Sequence, residues 1–139
     1  MKPKFSLIEY SRLSSRQQEN FNFQKVSAVL ADFGYSIIRL TDDWHGADFI
    51  AQHCDGITFL KVQLKGRLYF SKKYQNKQLW MCFRYKNEIY LFPHDEALDI
   101  ILRETKIGDS KSWKEKGSYS FPGLSKKMLS LMQSYVLKG

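Results

Sequence analysis

The stretch Gly46-Ala47-Asp48-Phe49-Ile50-Ala51, followed after a short turn by Phe59-Leu60-Lys61-Val62-Gln63-Leu64-Lys65, decides how this chain folds. Both are apolar runs of β type, and both carry polar groups that a core strand has no use for. Strand side chains alternate between faces, so Lys61, Gln63 and Lys65 share one face and Leu60, Val62 and Leu64 the other. Asp55-Gly56 between the runs is a hairpin turn signal. Paired as a hairpin, the two strands bring a carboxylate (Asp48), an amide oxygen (Gln63) and an ammonium (Lys65) to one end of a sheet. That combination suits metal-assisted attack on a phosphodiester.

Upstream, Met1 to Leu13 reads as an irregular arm. Ser14-Ser15 offers a helix N-cap, and Gln17 to Phe33 has helical periodicity, with Phe23, Val26, Leu30 and Phe33 on one stripe. Gly34 supplies the stop. Glu19 precedes Phe23 by four positions, Val26 by seven and Leu30 by eleven, so it lies within the apolar stripe. A carboxylate there faces the core or the edge of a site, and a buried one needs a partner or a cation.

Tyr35 to Leu40 reads as a first strand and Thr41 to Gly46 as a polar loop. Asp48 to His53 and Ile57 to Leu64 are the next two strands. Gly66 to Lys77 is a basic connection in which Arg67, Lys72, Lys73 and Lys77 alternate with Tyr69, Phe70 and Tyr74. Leu79 to Tyr85 and Ile89 to Phe92 are the fourth and fifth strands, joined at Lys86-Asn87-Glu88. Asp95 to Thr105 reads as a helix with Asp95 as N-cap. Ile107 to Gly123 is a polar loop, and Ser125 to Leu137 a last helix with Met128, Leu129, Met132 and Val136 inward. The order, one helix, five strands and two helices, predicts an α/β fold: a mixed β-sheet of about five strands flanked by helices.

A chain of 139 residues with 43% hydrophobic content supports one core, so residues 1–139 are read as a single domain. An aromatic content of 15% argues against disorder. Lys and Arg total 22 against 14 Asp and Glu, a formal charge of +8. This excess points first to a polyanionic partner, DNA or RNA. Cys54 and Cys82 are too few and too far apart for a zinc pattern or a disulfide framework. They read as free thiols in strand-like contexts, as in a reducing cytoplasm. No signal-peptide core occupies Met1 to Tyr10, and no apolar run nears the ~20 residues of a membrane span. A soluble cytoplasmic protein is expected, with no membrane partner.

The element order and these polar residues resemble the PD-(D/E)xK nuclease superfamily, whose restriction-endonuclease-like fold is shared by restriction enzymes and Holliday junction resolvases. Its pattern is a helix-borne Glu, an Asp opening a strand, and an acid or Gln two residues before a Lys on the next strand. Glu19, Asp48 and Gln63-Leu64-Lys65 match it, within a resemblance spanning residues 17–92. The Gln-x-Lys form is similar to that of the small, oligomeric bacterial homing endonucleases of the superfamily. Ala47 stands where the motif has Pro. The neutral Gln63 stands where a second acid is usual, which should weaken a metal site.

The resemblance implies a metal-dependent DNA endonuclease with Glu19, Asp48, Gln63 and Lys65 as its catalytic set. Mg²⁺ or Mn²⁺ would be held by Asp48, the Gln63 amide, the Leu64 carbonyl and Glu19. Lys65 would orient or deprotonate the attacking water. Arg67, Lys72, Lys73 and Lys77 lie just beyond Lys65, where DNA phosphates would pass. Duplex cutting uses one site per strand, which implies a homodimer or homotetramer. Two other functions compete: a non-catalytic nucleic-acid-binding module on the same fold, and a protein-interaction domain with incidental positive charge. Residue by residue, plainer roles also exist: Asp48 as a turn residue, Lys65 and Gln63 as exposed strand-end groups, and Glu19 as the ion-pair partner of Lys65 or Arg39.

Overall fold

A computed structural model describes residues 3–138; Met1 and Lys2 of the N-terminal arm, and Gly139, lie outside the described residues. The first long element is α1 (Ser15–Asp32), started by a capping box. The Ser14 hydroxyl accepts the Gln17 N–H at 3.2 Å, and the Gln17 amide oxygen accepts the Ser14 N–H at 2.9 Å. Gly34 stops the helix at φ +87°, where an added Cβ would meet the His53 Nε2 at 3.0 Å.

The main sheet contains β1 (Tyr35–Trp44), β2 (Ala47–His53), β3 (Phe59–Leu64), β5 (Leu79–Tyr85) and β6 (Glu88–Pro93), in the order β1-β2-β3-β5-β6. β3 and β5 run parallel and the other neighbours antiparallel. A two-stranded sheet of β4 (Tyr69–Ser71) and β7 (Ser118–Ser120) stands apart. The chain also has α2 (His94–Glu104) and α3 (Lys126–Met132). The expected α/β architecture, a mixed five-stranded sheet with helices on its faces, is the one observed.

Alternation along the strands sorts the apolar residues into two layers. Phe49, Ala51, Val62, Cys82, Ile89 and Leu91 pack against Val26 and Leu30 of α1. Met81, Phe83, Tyr90 and Phe92 face Ala97, Leu98 and Ile101 of α2, with Met128 and Met132 of α3. Leu60 and Leu64 join Val62 on the α1 side, so the alternation read for β3 holds.

Several boundaries differ from the sequence reading, each for a local reason. The Thr41 to Gly46 stretch is not a loop: β1 runs on to Trp44 and turns at His45 and Gly46, with φ of +53° and +90°. Turn geometry there outweighs the low strand propensity of Asp42 and Asp43. β3 begins at Phe59 and not Ile57, because the Asp55 carboxylate accepts the N–H groups of Ile57 and Thr58, both at 2.8 Å, and holds the turn. Cys54 therefore lies in that turn, outside any strand. β4 and β7 lie inside the stretches read as a basic connection and a polar loop. Pro93, not Asp95, is the N-cap of α2, and the Asp95 carboxylate instead accepts the Asn76 N–H at 2.8 Å. The last helix ends at Met132; Leu131 packs on the core in place of Leu129, and Val136 forms a bridge with Tyr90. Among the described residues no helix is long and apolar enough to cross a membrane.

Phe49 ties α1 to the sheet: it is fully buried and meets the Phe23 ring edge-on at 5.6 Å. Phe49→Ala is expected to cost about 3–5 kcal/mol, read as a lower urea midpoint at unchanged slope. A loss below about 1 kcal/mol would contradict the packing described for this layer.

Candidate active site

Asp48 occupies a position where the sheet comes apart on both sides. Toward β1 the register runs regularly to Arg39 opposite Phe49 and resumes at Trp44 opposite Ala47. Four residues of β1, Leu40 to Asp43, thus face the single residue Asp48. Toward β3, pairing ends at Phe49 opposite Val62, and β3 continues beside β5 alone, with the Lys65 N–H donating to the Cys82 carbonyl at 2.9 Å. The fork leaves the Leu64 N–H without a β2 carbonyl. The Asp48 Oδ2 accepts it at 2.8 Å, so a side chain completes the ladder and fixes the carboxylate at the sheet end.

Two cavities open on this carboxylate. One of about 420 Å³ is lined by Glu19, Asp48, Gln63, Leu64, Lys65 and Gly66, together with Tyr10, Ser15, Gln18 and Asn22. The other, about 620 Å³, shares Glu19, Asp48 and Leu64 and extends past Arg16, Arg39 and the bulged Leu40 to Asp43. The first cavity therefore brings together Glu19, Asp48, Gln63, Leu64 and Lys65. Glu19 comes from the first turns of α1, where the apolar stripe overruns the sheet end, so its side chain is largely exposed and not in the core. Its Oε1 lies 3.5 Å from the Arg39 Nη2. Of the two ion pairs considered from sequence, it is the one with Arg39 that forms.

Lys65 shares the face of Gln63, away from α1. Its Nζ sits 4.7 Å from the Tyr69 ring centroid and 6.0 Å from that of Tyr74. Aromatic faces hold the ammonium beside the carboxylate without an ion pair between them. Burial pushes the Tyr74 hydroxyl up to about 12, with help from Tyr69, Asp48 and Asp43, so it stays neutral.

The Asp48 carboxyl is raised above its ordinary value. Burial is the first cause, partly opposed by the Leu64 N–H; the nearby Glu19 charge raises it further, Lys65 lowers it and Asp43 raises it. Such a carboxylate is short of positive charge. Among the described residues no three His, Cys, Asp or Glu side chains converge as a metal cage. The donors are two carboxylates and neutral oxygens, which suit a hard cation that keeps part of its water.

Further side chains surround the site. Buried Asn22 donates to the Tyr10 hydroxyl at 2.8 Å and accepts from the Arg84 Nη1 at 2.7 Å. The Arg84 guanidinium also lies 5.1 Å from the Phe21 ring. Arg39 donates to the Asn20 Oδ1 at 3.0 Å and lies over Phe23 at 4.5 Å. Asn22 sits on the stripe side of α1, one turn from Glu19, which was the available signal. Nothing in the sequence marked Arg84. The basic residues Arg67, Lys72, Lys73 and Lys77 take separate neighbours. Arg67 is exposed, Lys72 lies over Trp113 at 5.3 Å, Lys73 over Tyr74 at 5.1 Å, and Lys77 borders a third cavity. Among the described residues no lysine forms an ion pair.

No protein-family model matches the chain, and no curated protein matches it. Among solved structures it is similar to the bacterial homing endonuclease I-Ssp6803I, at 13% identity and a TM-score of 0.52, over 88% of this chain and 86% of that one. The fold is restriction-endonuclease-like. The chain also matches Hjc of Archaeoglobus fulgidus, a Holliday junction resolvase from an archaeal hyperthermophile, at 15% identity and a TM-score of 0.41, over 55% of this chain and 76% of that one.

A carboxyl raised above its unfolded value binds its proton more tightly in the folded state. Its stabilising contribution is complete below the unfolded pKa and is lost as pH rises through the folded one. At pH 7, without divalent cations, Asp48 is charged at a cost that Asp48→Asn removes while keeping an oxygen for the Leu64 N–H. The variant should equal or exceed wild-type stability at pH 7 by about 0.5 kcal/mol, a small gain because solvent screens this half-buried group. The difference should vanish as pH falls below the raised pKa. Urea unfolding at both pH values measures it, and a less stable Asn variant at pH 7 contradicts the account.

Proposed function

We propose that this protein is a DNA endonuclease that hydrolyses phosphodiester bonds with Mg²⁺ or Mn²⁺. The observation that carries this reading is the single cavity lined by Glu19, Asp48, Gln63, Leu64 and Lys65 at the forked end of the sheet. The restriction-endonuclease-like fold and the unpaired lysines agree with it.

Asp48 would hold the cation, with the Gln63 amide oxygen and the Leu64 carbonyl as neutral donors. Glu19 contributes through water or after leaving Arg39. When bound, the cation neutralises the non-bridging phosphate oxygens and lowers the pKa of the attacking water. Lys65, held on Tyr69, directs its N–H donors at that water and at the charge gathering on the phosphorus oxygens. Arg67, Lys72, Lys73 and Lys77 line the approach of the DNA backbone. A homodimer or homotetramer provides one site for each strand of a duplex.

The Glu19–Arg39 ion pair and the neutral Gln63 favour a second reading, a DNA-binding module of the same fold without hydrolysis. A metal titration separates the two. For the enzyme, millimolar Mg²⁺ or Mn²⁺ raises the melting temperature of wild type and not that of Asp48→Ala; no shift in wild type supports the binding module.

Asp48→Ala and Lys65→Ala should each lower cleavage of a DNA duplex by about a hundredfold or more. Both should bind the same duplex in EDTA as wild type does, to within about twofold. Wild-type cleavage by either variant removes its residue from the site.

A further inference from the structure

On the Lys65 face of β3, four residues earlier, Lys61 reaches a third cavity of about 220 Å³ bordered by His45, Asn76, Lys77 and Gln78. Four strand residues span about 13 Å, so this cavity lies along the same face as the candidate active site and apart from it. Three of its residues have left-handed backbones: His45 at φ +53°, Asn76 at +61° and Gln78 at +54°. The hairpin turn requires it of His45 and Asn tolerates it. Gln78 has neither reason, and strain of this kind persists where surroundings fix a functional shape.

Both rims are pinned from behind by carboxylates. Asp43 accepts the Gly46 N–H at 2.6 Å, and Asp95 accepts the Asn76 N–H at 2.8 Å. Asp95 is in turn held by the buried His94, whose Nδ1 lies 2.8 Å from the Asp95 Oδ1. These carboxylates are spent on backbone, while the ammonium groups of Lys61 and Lys77 have no carboxylate partner among the described residues. Trp44, half exposed, lies beside Lys61, whose Nζ is 5.5 Å from its ring.

We propose that Lys61, Lys77 and His45, with Trp44 beside Lys61, form a second DNA-phosphate site that holds the backbone of the same DNA away from the bond being cut. The proposal rests on the DNA endonuclease reading but adds a binding role to Lys61, His45 and Trp44. Among the basic residues along the DNA approach, Lys77 is the one that borders this cavity.

Anisotropy of a labelled duplex of about 20 base pairs, in EDTA from about 50 to 200 mM salt, tests it. Lys61→Gln/Lys77→Gln should bind about tenfold more weakly at low salt and lower the salt slope by about 2, near 0.9 for each lost contact. Lys61→Arg/Lys77→Arg should restore both. DNA should also change the fluorescence of Trp44, read as the difference between wild type and Trp44→Phe, which requires no lysine variant to fold. Unchanged affinity and slope in a folded Gln pair, or no Trp44 response, overturns this site alone. If the Gln pair shows the slope change and wild type the Trp44 response, yet wild type never cleaves, the nuclease reading falls and the site stands. Absence of any DNA binding removes both.

Discussion

The hydrogen bond from the Leu64 N–H to the Asp48 carboxylate, 2.8 Å long, is the interaction on which the site depends. A sheet that continued its ladder would bury Asp48 between two partners and leave no opening. Here β1 bulges away on one side and β3 leaves on the other. The carboxylate stands in for a strand. A charge-assisted bond of this kind contributes about 1.5–3 kcal/mol, with the lower end apt for a half-buried group. That contribution is set against the cost of holding a negative charge close to Glu19 and Asp43. The site thus combines a rigid carboxylate with a deficit of positive charge, which is the condition a cation relieves.

The surrounding groups divide the work of orientation. Glu19 is steered by Arg39, which is itself stacked on Phe23 and bonded to Asn20. Lys65 is steered by Tyr69 and Tyr74. Tyr10, Asn22 and Arg84 form a hydrogen-bonded and stacked chain that joins the N-terminal arm, α1 and β5 along one wall. None of these contacts is a tight ion pair at the cavity centre, so each charged group keeps donors or acceptors for an incoming phosphate.

Much of this was legible in the sequence, and the reasons are specific. Alternation in Leu60 to Lys65 assigned the faces of β3, because burial against α1 demands it of Val62. The Ser14 N-cap and the Gly34 stop set the bounds of α1. Asp48, Gln63 and Lys65 were readable because a polar group within an apolar strand is costly without a role. The outer half of the β1–β2 hairpin was hidden because it is polar, and its turn, His45-Gly46, is not a strong dipeptide signal. The β4–β7 pairing was hidden because three-residue strands have no period to read, and their paired residues are distant in sequence, with Tyr69 opposite Ser120 and Ser71 opposite Ser118. Arg84 was hidden because its partners lie on another element, at Asn22 and Phe21.

The excess of residues in β1 opposite Asp48 has a second effect, on the rim of the sheet. β1 is an edge strand of the main sheet and, at ten residues, its longest, a length that invites edge-to-edge recruitment of foreign strands into aggregates. The irregular stretch interrupts that template, and covering the carboxylates of Asp42 and Asp43 within it with a flat, apolar strand would cost their hydration. The distortion that gives the candidate site its opening therefore also protects the molecule from sticking to itself as a fibre.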